Sequence, residues 1–391
     1  MTFGKMPIAN GFLQKEEIGK EYFFKLSPTF CSECFTFQIE EQPDAGVMFH
    51  ENYAFFTRQS KKMQNHFKEF AQWIDENFMK SENPFIIELG SNDGVLLEHF
   101  AKKGVNHLGV EPSANVALEA EKHGVKSLIK FFSEMEAKNI IESHGKVDVI
   151  TASNVMCHIP DLNDIARGIN LLLKEKGVLI FEDPYLGEMI NKTSYDQIYD
   201  EHVYIFSALS VKNIFSKVGL ELIDCIPQNT HGGSMRYIFS RVGEYNVSKN
   251  VERIIQQEEK DGLNKNETFI NFKKNCENSR DDLIKILKKE KALGKKIAAY
   301  GATSKSTTIL NYCNIGPEVI EYISDTTPIK QNKVSPGMHI PVKPYEEFQK
   351  NPPDIAVLFA WNHSEEIFAK ENVFVDNGGK WIIHVPKVRI I

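Results

Sequence analysis

The sequence predicts an α/β protein with two Rossmann-like domains and a small irregular module at its N-terminus. Between residues 85 and 183, short apolar runs alternate with segments of helical period, which is typical of a parallel sheet covered by helices. The same alternation returns between residues 297 and 386. The first fifty residues show no sustained period, and a charged helical stretch over residues 246–293 connects the two α/β regions.

The composition is that of a globular protein of two or three domains. The chain has 391 residues, 42% hydrophobic and 25% charged, and about 150 residues form a typical domain. Its net charge of −7 provides no basic surface, so we expect no nucleic-acid partner. No apolar run approaches the ~18 residues that span a bilayer, and there is no signal-peptide core. We therefore expect a cytoplasmic protein with no membrane partner, as a monomer or a homodimer.

The N-terminal module contains the pair Cys31 and Cys34, whose spacing suits two corners of a tetrahedral zinc site on one turn. One pair is half of a site. Redox chemistry is a weaker alternative. The other four cysteines are dispersed single residues and are predicted to lie in the core: Cys157, Cys225, Cys276 and Cys313.

The central domain begins with an amphipathic helix from about Ser60 to Phe78 and a buried strand over Phe85–Leu89. A turn follows in which Gly90 and Gly94 permit a tight backbone path. Helical spacing resumes near Val95. A strand, a glycine turn and a helix in this order predict a cofactor-binding loop.

This loop favours S-adenosylmethionine (SAM) as the cofactor. Glu111 ends the second strand, and an acid there can accept hydrogen bonds from both hydroxyls of a ribose. A dinucleotide site needs G-x-G-x-x-G, which this loop lacks. The carboxylates of Glu88 and Asp93 repel a diphosphate but suit the ammonium and sulfonium charges of SAM. Glycine turns also follow strands in sheets that bind nothing, so the prediction depends on the loop, Glu111 and the next strand together.

The remaining strands of both domains are predicted from their apolar runs. In the central domain they are HLGVE (107–111), KVDVITAS (146–153), GVLIFED (177–183) and two strands within 222–242, with a helix over 162–174. In the C-terminal domain the units are 295–313, 319–325, 354–361 and 380–386.

The densest cluster of titratable groups follows the strand that ends at residue 183. His202 is neutral enough near pH 7 to take a proton, and Glu201 could orient it or stabilise its cation. Methylation of a carbon beside a carbonyl requires such a base, together with donors for the enolate oxygen, for which Tyr199 and Tyr53 are candidates. The alternatives are a purely structural histidine–acid pair and aromatic packing of the tyrosines.

Two further segments are predicted to bind an anion or sugar hydroxyls. His231 and Gly232, with Arg236, combine close backbone approach with guanidinium donors. Ser304 and Lys305 open a helix after a strand, where a nucleotide diphosphate could bind. A bulged strand and an ordinary helix cap are the structural alternatives.

Taken together, these segments resemble the sugar C-methyltransferases that act on nucleotide-linked 4-keto deoxysugars in branched-sugar biosynthesis. The resemblance covers essentially the whole chain. It follows, in order, GKMPIANGF, the Cys31–Cys34 pair, ENYAFF, ELGSNDG, YDQIYDEHVYIFS, THGGSMR, YGATSKSTTILNYC, SPGMHIPV and FAWNH.

The resemblance implies three domains and a set of site residues. The domains are a zinc-binding module over 1–58, a class I SAM-methyltransferase domain over 59–245, and a helical connector with a Rossmann-like substrate-binding domain over 246–391. The implied base is His202, with Tyr199, Glu201 and Tyr53 around the same site. The residues implied to hold SAM are Gly90, Asn92 and Glu111, with Asn154 nearby, whereas the segments of His231 and Lys305 would face the nucleotide sugar.

One departure from the family concerns zinc. Family members carry a first C-x-x-C just before the segment that here begins at Gly4, whereas this chain starts at Met1. We therefore expect a truncated module with only half of a zinc site.

The sequence thus predicts a SAM-dependent C-methyltransferase of a nucleotide-linked keto sugar. An O- or N-methyltransferase that uses the same base on a hydroxyl or an amine is one alternative. An inactive protein that binds SAM or a nucleotide sugar is the other.

Overall fold

The computed structural model describes residues 1–48 and 56–391 and confirms the predicted α/β fold class. The strands are β1 (Lys5–Pro7), β2 (Phe23–Lys25), β3 (Pro28–Phe30), β4 (Phe37–Ile39), β5 (Phe85–Leu89), β6 (Asn106–Val110), β7 (Ser127–Leu128), β8 (Val147–Ser153), β9 (Leu173–Pro184), β10 (Tyr204–Ile205), β11 (Leu220–Gln228), β12 (Ser234–Arg241), β13 (Ile297–Tyr300), β14 (Ile323–Asp325), β15 (Val342–Pro344), β16 (Ile355–Leu358), β17 (Lys380–Ile383) and β18 (Arg389–Ile390).

Helices cover the sheets and connect them. They are α1 (Ala45–Met48), α2 (Lys61–Phe78), α3 (Leu97–Ala101), α4 (Ala114–Lys122), α5 (Glu134–His144), α6 (Leu162–Leu172), α7 (Leu186–Lys192), α8 (Ala208–Ser216), α9 (Lys249–Lys260), α10 (Asn266–Ala292), α11 (Ser304–Cys313), α12 (Tyr345–Lys350), α13 (Ser364–Lys370) and α14 (Asn372–Asp376). Among the described residues, no helix combines the length and apolar character needed to cross a membrane.

The central domain is a seven-stranded sheet in the order β11-β12-β9-β8-β5-β6-β7. The five neighbouring strands β9, β8, β5, β6 and β7 run parallel, whereas β12 pairs antiparallel with β9. Helix α2 is confirmed, because Ser60 caps its N-terminus by accepting from the Met63 amide, and Phe67, Phe70 and Ile74 are buried. A parallel arrangement brings the carboxyl ends of β5, β6, β8 and β9 to one edge, where the predicted cofactor loop lies.

Two predicted helix boundaries differ from the structure. The helix after the cofactor loop begins at Leu97 rather than near Val95, because residues 90–96 form the turn. The helix predicted over 162–174 ends at Leu172, and Leu173 already adopts the extended backbone that opens β9.

The C-terminal domain is a six-stranded sheet in the order β15-β14-β13-β16-β17-β18. The chain passes from β13 to β14 and β15 on one side, then returns to β16 and β17 on the other. The crevice between the carboxyl ends of β13 and β16 is therefore a topological switch point, the usual place for a ligand in such sheets.

The N-terminal module is stabilised by the rest of the chain. Strand β1 pairs with β2, and β4 pairs with both β3 and β10, which comes from the central domain. The side chains of Phe3, Phe24 and Phe37 share one buried cluster with Phe272 of α10. Burial of each such ring contributes about 1.5–3 kcal/mol. The module therefore has its core in common with the connector and the C-terminal domain.

Candidate active site

A cavity of about 800 Å³ lies between the two large sheets and is lined by residues from all three parts of the chain. The predicted site residues in its lining are Glu88, Gly90, Asn92, Glu111, Asn154, Tyr199, Glu201, His202, His231, Ser304 and Lys305. The described residues with a predicted site role that lie outside this lining are Cys31, Cys34, Asp93, Gly94, Gly232 and Arg236. Tyr53 falls in 49–55, outside the described residues.

The cofactor loop approaches its neighbours too closely for a side chain at Gly90. Gly90 has φ +61°, and a Cβ atom there would lie 2.4 Å from Cγ2 of Val155. Its amide donates to the Val110 carbonyl at 2.8 Å. The loop is thus held against the end of β6, and its backbone faces the cavity.

Glu111 is held at the end of β6 by two backbone donors. Its Oε2 accepts from the Asn92 amide at 2.9 Å, and its Oε1 accepts from the Ser113 amide at 2.8 Å. Burial raises the pKa of this carboxyl, and these two backbone hydrogen bonds oppose the shift. Each oxygen keeps a second lone pair, as needed to accept from ribose hydroxyls.

Glu88 lies in the same part of the cavity without a compensating charge. Its Oε2 is buried with no hydrogen-bond partner in the described part of the chain. Burial, followed by repulsion from Glu111 and Asp93, raises the pKa of Glu88 well above its usual value. A cationic ligand would relieve this repulsion, so the residues present fit the adenosine and the cationic end of SAM.

Two loop residues predicted to bind the cofactor are instead structural. The Asp93 carboxylate accepts from the Arg58 amide at 2.9 Å and so joins the loop to residues 57–59. A Cβ atom at Gly94 would lie 2.9 Å from Ala120 and from Val125, so Gly94 allows close packing against the second strand–helix unit. Neither Asp93 nor Gly94 lines the cavity. The cofactor role predicted for these two residues is therefore corrected to support of the loop.

His202 is fixed in one tautomer by its two ring contacts. Its Nδ1 lies 2.7 Å from the Gln197 carbonyl, which can only accept, so Nδ1 carries the proton. Its Nε2 is then unprotonated and accepts from the Tyr199 hydroxyl at 2.8 Å. Burial, and then the neighbouring His158, lower the pKa of His202 well below its usual value. The ring is therefore neutral, with its proton on Nδ1 and its lone pair on Nε2.

The predicted orientation of His202 by Glu201 is wrong, because the Gln197 carbonyl has that role. Glu201 is buried, and burial together with repulsion from Asp200 raises its pKa to about 8, while Lys330 opposes the shift. A protonated carboxyl can donate a hydrogen bond to a substrate oxygen. The position of Glu201 in the lining is as predicted.

His158 was missed by the sequence reasoning. Its ring stacks on His202 with the centroids 5.3 Å apart, and burial lowers the pKa of His158 to about 4. The turn that carries it is held by the Cys157 amide, which donates to Asp183 at 3.1 Å. The sequence could have indicated His158 by its position, because it lies four residues after Asn154 at the end of β8, where α/β sheets position ligand-binding residues.

The C-terminal side of the cavity carries two half-buried cations. Lys305, in the first turn of α11, donates to the neutral Asn362 side chain at 3.3 Å, and burial lowers its pKa. Lys330, which the sequence reasoning missed, donates to the Ala302 carbonyl at 2.9 Å and also has a pKa lowered by burial. Together with the amides at the start of α11, they form an electropositive end of the cavity that suits a phosphate.

The segment around His231 is only partly a binding segment. His231 lines the cavity, and burial lowers its pKa to about 3. Gly232 packs on the indole of Trp361, because a Cβ atom there would lie 2.3 Å from that ring. Arg236 pairs with Glu182, with Nε at 2.6 Å from Oε1, and its guanidinium lies 3.8 Å from the centroid of Phe70. The substrate role predicted for Arg236 is wrong, because its donors are used inside the sheet.

The cysteine pair predicted to be half of a zinc site lies in the N-terminal module as two free thiols, and its metal role stays a prediction. Cys31 and Cys34 lie on one turn that is closed by the Phe35 amide, which donates to the Cys31 carbonyl at 2.9 Å, and the Cys34 thiol lies 3.1 Å from the Thr36 hydroxyl. Hydrogen bonding to the Cys34 and Glu33 amides lowers the pKa of Cys31. Within residues 1–48 and 56–391, the group of three such ligands close enough for a metal is Cys157, His158 and His202, away from this pair. The described residues therefore do not fit a closed four-ligand zinc site at Cys31.

Comparison with known proteins divides the chain into three matched regions. A "Methyltransferase domain" model matches residues 60–224, a "C-methyltransferase C-terminal domain" model matches residues 229–386, and a "Putative zinc binding domain" model matches residues 1–49. The chain is 29% identical over 394 residues to the C-methyltransferase NovU of Streptomyces niveus, covering 100% of this chain and 93% of that protein.

Other relatives match the central domain alone. The ubiquinone biosynthesis O-methyltransferase of Acinetobacter baumannii (strain AYE) is 27% identical over 114 residues, which is 28% of this chain and 47% of that protein. The crystal structure of magnesium protoporphyrin IX methyltransferase from Synechocystis with bound SAH aligns at a TM-score of 0.36 and 13% identity, over 50% of this chain and 92% of that one.

The fold, the carboxylates at the ends of β5 and β6 and the methyltransferase-domain match define a SAM-dependent methyltransferase. More particularly, the chain carries the zinc-binding, methyltransferase and C-methyltransferase C-terminal domain matches in this order, and it is similar over its whole length to a C-methyltransferase.

Proposed function

We propose that the protein methylates a carbon next to the ketone of a nucleotide-linked 4-keto deoxysugar, with His202 as the base. The observation that carries the proposal is the tautomer of His202. Its Nδ1 proton is held by the Gln197 carbonyl, so Nε2 carries the lone pair, which accepts from the Tyr199 hydroxyl at 2.8 Å and can take a proton when that hydroxyl turns to a substrate oxygen. A base is needed for a carbon acceptor, because an α proton must leave before the carbon becomes nucleophilic.

The groups around His202 support an enolate. SAM, when bound, supplies the methyl group on an excellent leaving group. Nε2 of His202 takes the α proton, and its two lining neighbours, the Tyr199 hydroxyl and the protonated Glu201 carboxyl, can donate to the oxygen that becomes negative. The proton on Nδ1 continues to donate to the Gln197 carbonyl, which stabilises the imidazolium. Tyr53 stays a predicted second donor.

The other end of the cavity supports a nucleotide-linked acceptor. Lys305 and Lys330 are half-buried cations that line it, and neither forms a salt bridge to a carboxylate within residues 1–48 and 56–391. Desolvated cations bind phosphate strongly. A diphosphate at this end would extend the sugar toward His202. The cytoplasmic location and the oligomeric state stay predictions.

The test is mass spectrometry of the protein with SAM and a panel of nucleotide 4-keto-6-deoxysugars in deuterated water. We expect a gain of one methyl group by the wild type, and loss of both methyl transfer and α-deuterium exchange in His202→Gln. Lys20→Ala, an exposed change, is the control. Full turnover by His202→Gln would remove the carbon mechanism. Methylation of a hydroxyl or amine in place of carbon would favour the O- or N-methyltransferase alternative, and SAM binding without transfer would favour the inactive binding protein.

A further inference from the structure

The N-terminal strap, residues 8–13, forms part of the cavity wall. Its residues 8–12 are the second half of the GKMPIANGF segment. Asn10 lines the cavity, although the strap is more than 180 residues away in sequence from His202. The N-terminal module therefore reaches the same cavity as the predicted base.

The strap is fixed on both sides of Asn10. The Ala9 amide donates to Oδ1 of Asp200 at 2.9 Å, and the Ala9 carbonyl accepts from the Thr307 hydroxyl of α11 at 2.7 Å. Beyond Asn10, Leu13 and Val334 exchange backbone hydrogen bonds of 3.3 Å and 2.9 Å. These contacts place Asn10 between the loop that carries His202 and the helix that carries Lys305.

The Asn10 side chain has an unused hydrogen-bonding group. Its Oδ1 is buried and has no partner among residues 1–48 and 56–391. A buried amide oxygen left unpaired costs about 1–3 kcal/mol. A ligand in the cavity that supplies the missing donor would remove that penalty. The NH2 group of the same amide can also donate a hydrogen bond to the ligand.

The strap also supports one of the cations. The ammonium group of Lys330 lies 4.8 Å from the centroid of the Phe12 ring. Phe12 is buried, so its ring is a fixed surface for that ammonium group. The strap therefore contacts the electropositive end of the cavity through Phe12. Its Asn10 lines the same cavity as His202.

We propose that Asn10 is a specificity-determining residue that hydrogen-bonds a hydroxyl group of the acceptor sugar ring. This inference rests on the proposed function, because it takes the sugar to lie between Lys305 and His202. In this role, Asn10 distinguishes an acceptor sugar with a ring hydroxyl from one that is deoxy at the same position. Asn10 takes no part in the proton transfer.

The experiment compares wild type, Asn10→Ala and Asn10→Asp on pairs of nucleoside-diphosphate 4-keto-6-deoxysugars that differ at one ring hydroxyl. We expect Asn10→Ala to lower kcat/KM about tenfold for the hydroxyl acceptor, mainly through KM, and to change it little for the deoxy partner. Asn10→Asp keeps the shape and one acceptor, so it reports on the site if Asn10→Ala folds poorly. The exposed variant Lys20→Ala should behave as wild type.

Two further readouts separate this role from a structural one. The dissociation constant of SAM, measured by calorimetry, should stay within about twofold in the Asn10 variants, because Glu111 and Gly90 hold it. The rate of α-deuterium exchange at saturating acceptor should also persist. Equal losses on both acceptors of every pair, or unchanged discrimination, would overturn the role of Asn10 and leave the proposed function intact. A wild type that neither exchanges nor methylates any acceptor would overturn the proposed function, and this inference with it.

Discussion

At the scale of single residues, the partner of a buried charge decides what that charge can do. Arg236 and Lys305 are both cations close to the cavity, and both were predicted to bind substrate. Arg236 has a carboxylate partner, Glu182, and an aromatic ring beneath it. Lys305 contacts the neutral Asn362 amide, lies 5.1 Å from the centroid of the Trp361 ring and lines the cavity. A cation that is already neutralised inside a sheet has little to offer a ligand, because breaking that pair leaves a buried carboxylate uncompensated.

We therefore expect Arg236→Met to destabilise the fold without weakening acceptor binding. Removal of one partner of a buried pair costs about 3–5 kcal/mol, and His66, 2.6 Å from Oε2 of Glu182, is the remaining partner. Urea unfolding should show the loss, whereas Arg253→Met, on the exposed face of α9, should show almost none. An Arg236 variant with wild-type stability and a raised KM for the acceptor would restore the substrate role.

At the scale of elements, the turn between β5 and α3 is packed closely against its neighbours. Asn92 also has a positive φ, +49°, and its side-chain oxygen accepts from the Thr57 amide at 3.0 Å. The turn is thus joined to the segment before α2 as well as to Glu111. Its shape depends on backbone conformations that β-carbon atoms disfavour.

Comparison of Gly90→Ala with Gly104→Ala separates the cost of a left-handed backbone conformation from the cost of a steric overlap. Both glycines have positive φ, +61° and +69°, but a Cβ atom would overlap Val155 at Gly90 and would meet nothing within 4 Å at Gly104. A left-handed alanine costs about 1–2 kcal/mol in either place. We expect only Gly90→Ala to weaken SAM binding, by about tenfold or more in calorimetry. Equal SAM affinity in the two variants would contradict this account of the loop.

At the scale of the whole molecule, residues 194–206 join the three parts of the chain. Asp196 accepts from the Trp361 indole at 2.6 Å, and the Ile198 carbonyl accepts from the Thr308 hydroxyl at 2.9 Å. Asp200 accepts from the N-terminal strap, and β10 pairs with β4. The segment that carries His202 is therefore held by every part of the protein, and its carboxyl groups are buried at the junction.

This burial predicts that the ligand-free protein loses stability as the pH rises. Burial raises the pKa of Asp183 and Glu201 to about 8, and the pKa of Asp200 and Glu258 to about 7, from usual values of 3.8 for aspartate and 4.5 for glutamate. The folded state keeps these protons at pH values where the unfolded chain has released them. The stability they confer is complete below the unfolded values and is lost as the pH rises through the folded ones.

We expect the free energy of unfolding to fall by about 2 kcal/mol or more between pH 6.5 and pH 9. The buried His158 and His231, whose pKa values burial lowers to about 4 and about 3, affect stability below pH 6.5 and not in this window. Calorimetric melting at constant ionic strength measures the slope, and Glu201→Gln should make it shallower. A flat profile would show that these carboxyls are ionised in the folded protein.

Some site residues follow from local sequence and others do not. The cofactor turn could be predicted because a buried strand, two glycines and an acid at the next strand end are all read within about thirty residues. His202 stood out within a dense titratable cluster, though its orienting partner, Gln197, acts through a backbone carbonyl that no side-chain pattern reveals. Gly94 and Arg236 have residue types suited to binding, but their packing partners, Ala120 and Glu182, are distant in sequence.

The sequence by itself determined the α/β class, the order of its strands and helices, the SAM loop and the titratable segment that carries His202, because hydrophobic period and turn chemistry act between near neighbours along the chain. Only the tertiary structure decided that His158, Lys330 and Asn10 share a cavity with His202. It also decided that Arg236 lies in an ion pair inside the sheet. The physical reason is that burial, pKa and hydrogen-bond satisfaction depend on groups that the fold brings together from segments far apart in sequence.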